Sequence, residues 1–84
     1  MHIRCYILGP GPGPSERIVS VETIDGDEVS SEEVVVDEGF LQNSELLIRR
    51  VVERRANKAL VELPQESATG RWRLWVKDSA LAGC

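Results

Sequence analysis

Asn43-Ser44-Glu45-Leu46-Leu47-Ile48-Arg49-Arg50-Val51-Val52-Glu53-Arg54-Arg55-Ala56-Asn57-Lys58 is the stretch on which the fold class turns. Read as a helix, it has Ser44 as cap, Glu45 in the first turn, Arg54 and Arg55 in the last, and Asn57 for a left-handed C-terminal position. The doublets Leu46-Leu47, Arg49-Arg50 and Val51-Val52 also recur at near-helical spacing. That helix, however, sets Arg49 and Arg55 beside the apolar stripe through Ile48, Val52 and Ala56. Read as a strand, the segment gains from β-branched Ile48, Val51 and Val52, whose side chains fit a pleated surface. Arg55-Ala56-Asn57 then becomes a turn in which Asn57 accepts a positive φ. A strand over 46–54 pairs with 58–63 in a meander, and this is the favoured reading. One helix near 44–56, in an α+β fold, is the alternative.

The flanks read as β on both sides. Downstream, Ala59-Leu60-Val61-Glu62-Leu63 is a strand stopped by Pro64, and 65–70 is a polar loop. Arg71 to Lys77 alternates: Trp72, Leu74 and Val76 share one face, and Arg71, Arg73, Trp75 and Lys77 share the other. Trp72 is therefore expected as a core anchor and Trp75 as an outward ring. Upstream, 2–8 alternates with Ile3, Cys5 and Ile7 inward, where a thiol behaves as a small hydrophobe. The Gly9-Pro10-Gly11-Pro12-Gly13-Pro14 run ends that strand and predicts a stiff extended connector over 9–14. Strands over 17–24 and 28–37 flank Asp25-Gly26-Asp27, a strong turn signal, so 16–37 is a hairpin.

Five or six short strands, a Trp-bearing last strand and a short turn at Asp78-Ser79-Ala80-Leu81 give an outline that resembles a small SH3-like barrel. The likeness is one of pattern over most of the chain and brings no functional residues with it. Phe40 and Leu41, apolar in a polar connector, are expected to plug an open barrel end.

The chain of 84 residues allows one small β domain over 1–84. The net charge of −4 hides an asymmetry. Residues 1–44 hold nine acids against Arg4 and Arg17, a net of −7, while residues 45–84 hold eight bases against five acids, a net of +3. Such a chain can pair its halves internally, associate head to tail, or offer a basic face to an acidic partner. No apolar run approaches the roughly 18 residues of a membrane span, and the N-terminus lacks a signal-peptide pattern. Cys5 and Cys84 are too few for a disulfide scaffold, so a reduced, cytoplasmic protein without membrane contact is expected.

Several chemistries fit poorly. The Gly-Pro run has no N–H at alternate residues and precedes a strand, so it cannot cradle phosphate as a nucleotide loop does. Its prolines fall at every second residue, which is not Pro-x-x-Pro spacing. Asp25-Gly26-Asp27-Glu28 continues into Val29 and Ser30 where a calcium loop needs an oxygen ligand and a glycine. One histidine, His2, and two distant cysteines cannot build a zinc site or a catalytic triad. No cofactor, metal or catalytic residue is expected.

One constellation has chemical content. Trp75 among Arg71, Arg73 and Lys77, extended by Arg49, Arg50 or Arg54 if that strand shares the sheet, offers an aromatic ring with cations around it. The plainer alternative covers Trp75 with a loop or with arginine stems. The expected function is a non-catalytic interaction module, with a protein partner or self-association first. Weak nucleic-acid binding through the basic face around Trp75 is the alternative, disfavoured by the acidic half.

Overall fold

The computed structural model describes residues 1–82; Cys84 lies outside the described residues. The chain is mainly β, with no α-helix among the described residues. In order the strands are β1 (His2–Arg4), β2 (Tyr6–Pro10), β3 (Glu16–Asp25), β4 (Glu28–Asp37), β5 (Leu41–Gln42), β6 (Glu45–Leu47), β7 (Arg50–Arg55), β8 (Lys58–Glu62), β9 (Arg73–Lys77) and β10 (Leu81–Ala82). Short 3-10 turns at Glu38–Phe40 and Asp78–Ala80 punctuate them.

These strands form three antiparallel sheets, none closed into a barrel. A four-stranded sheet has the order β10-β1-β6-β5, a hairpin sheet β2-β3-β4, and a C-terminal sheet β7-β8-β9. Strand β9 packs beside β3, which joins the last two sheets. Ten-residue strands β3 and β4 reach about 33 Å at the usual rise. They account for a molecule 39 Å long and only 17 Å thin.

Strand parity explains the core. Val19, Val21 and Thr23 of β3, Val34 and Val36 of β4, Ala59 and Val61 of β8, and Leu74 and Val76 of β9 are all buried. Ile3, Cys5, Leu46, Ile48 and Leu63 complete the apolar cluster. Burial, and secondarily the nearby Glu45 carboxylate, push the Cys5 thiol up, so it stays protonated and serves as packing.

Four expectations are corrected. The first is the expected strand over 46–54, which is β rather than helical but is divided between two strands, β6 and β7. Ile48 is buried and donates its N–H to the Met1 carbonyl at 3.1 Å, and there the chain leaves the four-stranded sheet for the C-terminal one. The strand 2–8 divides similarly at Cys5, whose N–H goes to the Ser44 carbonyl at 3.0 Å. Beyond that break Ile7 keeps its inward parity but is 49% exposed, because nothing among the described residues covers the inner side of β2.

The second concerns the Gly-Pro run: Gly9 and Pro10 continue β2, and from Gly11 the run is a compact loop wrapped on Glu16. Gly11 donates to the Glu16 carbonyl at 2.8 Å, and Glu16 returns its own N–H to the Gly13 carbonyl at 3.2 Å. The Glu16 carboxylate also accepts from the Gly13 N–H at 2.8 Å. A Cβ on Gly11 would meet the Glu16 Cβ at 2.8 Å, so the close return of the chain requires glycine there.

The third is the turn before β8, where Ala56 rather than Asn57 takes the positive φ, at 45°. The fourth is Trp72, which is 46% exposed. The β8–β9 ladder ends at Glu62 and Arg73, and the backbone bends at Trp72, so strand parity no longer directs its side chain. As for the expected plug, Leu41 packs on the core while Phe40 stays exposed.

Candidate binding surface

The register of the C-terminal sheet places nine side chains on its outer face in three rows. Arg50, Glu62 and Arg73 lie side by side in the first, and Glu53, Leu60 and Trp75 in the second. Arg55, Lys58 and Lys77 make the third, without an acid among them. The face thus carries five cations and two carboxylates around Leu60 and Trp75, a net of +3.

Internal ion pairs fill much of this charge. The mostly buried Glu62 carboxylate faces Arg73 at 3.2 Å, Arg50 at 3.5 Å and Arg49 at 3.8 Å. Arg55 pairs with Glu53. Lys77 reaches Glu22 of β3 at 3.6 Å, across the junction of the two sheets. Lys58 has no ion pair among the described residues and instead lies 5.0 Å from the Trp75 ring centroid, with the Arg55 guanidinium at 5.5 Å. Three like charges in one cross-strand row repel; Glu53 and Glu22 offset Arg55 and Lys77, and the indole quadrupole attracts Lys58 and Arg55.

Of the residues singled out from sequence, Arg50, Arg73, Trp75 and Lys77 meet on this face. Arg54 lies on the opposite side and pairs with Asp78 at 2.8 Å. Arg49 sits before β7 and touches the face only through Glu62. Arg71 belongs to the 64–72 loop and lies outside the ladder of this face. Sequence reasoning misses Arg55 and Lys58, the two cations on the ring, because it gives Arg55 to the turn and Lys58 only to the edge of the next strand. Their signal is a cation on each side of a two-residue connection, which register makes direct neighbours.

Beyond the third row an open cleft of about 770 Å³ separates the β3–β4 turn from the β7–β8 turn. Ile24 and Val29 line it on one side, Lys58, Lys77 and Asp78 on the other. A second exposed apolar feature is Tyr6-Ile7-Leu8 on β2, an edge strand blunted by a bulge between Ile7 and Gly9 and by Pro10. No family model, curated protein or solved structure matches this chain.

The 64–72 loop is tied to β4, where Ser67 forms an isolated bridge with Val34. The Thr69 hydroxyl donates to the Glu32 carboxylate at 2.6 Å, and the Ala68 N–H donates to the Glu33 carbonyl at 2.8 Å. The Thr69 hydroxyl, then Ser67, hold the Glu32 carboxyl below its ordinary range. A carboxyl lowered in the folded state contributes stability that is full above its unfolded value and is lost as pH falls through the folded one. Acidification from about pH 7 to about pH 3 should therefore loosen this loop. The protection of the Ala68, Gly70 and Arg71 amides, taken as exchange relative to the intrinsic rate at each pH, should fall below the ordinary carboxylate range, and Glu32→Gln should remove most of that pH dependence. Unchanged protection across the range would refute the assignment.

Proposed function

We propose that this chain is a non-catalytic interaction module that binds an acidic protein surface through the outer face of its C-terminal sheet. The observation that carries the reading is the row Arg55, Lys58 and Lys77 beside Trp75 and Leu60, a positive edge next to apolar area in which Lys58 has no ion pair among the described residues. Aromatic and arginine side chains together are the usual anchors of protein interfaces. A nucleic acid fits the face less well. Glu62 and Glu53 stand where phosphates would come, and two cations already occupy the surroundings of the Trp75 ring on which a base would stack. His2 lies on β1 in the four-stranded sheet and supplies no imidazole to this face.

The SH3-like reading of the architecture is supported by the packing of β9 beside β3 and by the 3-10 turn at Asp78–Ala80. A reduced, cytoplasmic setting is supported by the free thiol of buried Cys5.

A titration of isotope-labelled protein tests the reading, with an alternating Glu-Tyr peptide in one arm and mixed-sequence 12-mer RNA and DNA in the other. The peptide should shift the Trp75 Nε1–H and the Lys58 and Lys77 amides, and the nucleic acids should leave them in place. Shifts with the nucleic acids alone, falling steeply with salt, would replace the protein reading by the nucleic-acid one.

A further inference from the structure

We infer that the acidic surface this face fits is the outer face of the hairpin sheet on a second copy of the chain, so that the protein self-associates head to tail. The inference rests on the proposed docking role of the C-terminal sheet and names its partner. Register again gives the composition. The outer face of the hairpin sheet carries Glu16 opposite Asp37, Ser20 between Tyr6 and Glu33, and Glu22 opposite Ser31. Ile18 opposite Val35 provides an apolar centre. Four carboxylates stand there without a single base among the described residues, a net of −4 against the +3 of the other face.

Apolar content matches as well. Tyr6 is 59% exposed in the row next to that of Ile18 and Val35, and Trp75 with Leu60 occupies the middle row of the basic face. Tyrosine and tryptophan supply large contact area at low entropic cost. Within one molecule the two faces meet only at their shared border, where Glu22 already holds Lys77 at 3.6 Å. Glu33 and Asp37 remain exposed and can meet the basic face of another copy, while the half-buried Glu16 carboxylate is held by the Gly13 N–H at 2.8 Å. The two patches differ, so the contact is heterologous, and each added copy leaves one unfilled face at either end. Three strands at about 4.8 Å spacing and five residues at about 3.4 Å give a patch roughly 15 Å by 17 Å. That is well under the roughly 800 Å² per partner of stable complexes, so the association is weak and steered by charge.

Complementing variants test this. Arg55→Glu with Lys58→Glu reverses the basic face, and Tyr6→Ala with Glu33→Lys weakens the acidic one; all four positions are surface side chains, and circular dichroism checks that both proteins fold. Sedimentation velocity at about 50 mM salt should show concentration-dependent growth of the unmodified chain, diminished at about 500 mM. Each variant alone should associate at least tenfold more weakly. Mixed together, they should form a 1:1 complex that grows no further, because each contributes its one intact face. An unmodified chain that stays monomeric at about 1 mM protein, or variants that associate without needing each other, would overturn the inference. Salt-insensitive dimers would point instead to pairing along the β2 edge, which also overturns it. A monomeric chain whose Trp75 still shifts with the Glu-Tyr peptide would leave the docking role standing with another partner. A monomeric chain with no such shift would remove both.

Discussion

Leu74→Ala is expected to cost about 2–5 kcal/mol, while Trp72→Ala, the larger truncation, costs less than about 1 kcal/mol. Leu74 lies in the ladder of β9 opposite Val61, and both side chains are buried in the one apolar cluster. Removing the isobutyl group loses its transfer energy and leaves a cavity that flanking strands cannot close, since both belong to hydrogen-bonded sheets. A chain of 84 residues has about 4–13 kcal/mol in all, so this one change takes a large share. Trp72 is exposed to 46% and lies outside the ladder, its carbonyl fixed by the Leu63 N–H at 2.8 Å whatever the side chain. Urea melts of the two variants decide the matter. Equal losses would mean that the indole is packed and that the bend before β9 does not release it from the core.

Alternation alone makes most of the strands legible. The hairpin 16–37, its turn at Gly26 and the inward set Val19, Val21, Leu74 and Val76 all follow from period-two patterning and turn chemistry. What patterning does not show is where a continuous extended stretch changes sheets. At Cys5 and Ile48 the residues stay apolar and buried, so the sequence runs on smoothly while the pairing partner changes. The site is half legible for a related reason. An unbroken β7–β8 ladder starting from Arg50 and Glu62 would set Arg54 opposite Lys58, as alternation suggests. The irregularity between Val51 and Glu53 inserts one residue, so Arg55 takes that place and Arg54 turns to Asp78. A bulge flips every side chain that follows it, and nothing in Val51-Val52-Glu53 announces one.

Glu62→Gln is expected to convert the face into a weak binder of single-stranded nucleic acid. Glu62 is the acid around which Arg49, Arg50 and Arg73 gather, at 3.8, 3.5 and 3.2 Å, and its side chain is only 19% exposed. The arginines are about half exposed, so solvent screens each pair, and the stability lost with the charge should be only about 1 kcal/mol. The effect on recognition is larger. An amide of the same shape keeps the packing but raises the face from +3 to +4 and frees three guanidinium groups to turn toward phosphates. A mixed-sequence 12-mer RNA should leave the unmodified chain unshifted at low salt. The variant should bind it, with a log–log salt slope near −2 if about three phosphates are neutralised at ~0.7 each. Affinity that is equal in both proteins would show that Glu62 does not restrain the arginines. Binding by neither would show that the restraint lies elsewhere, in the acidic hairpin sheet whose field repels the whole strand. The choice between a protein surface and a phosphate backbone thus turns on one carboxylate, placed by register in the centre of the arginines' row.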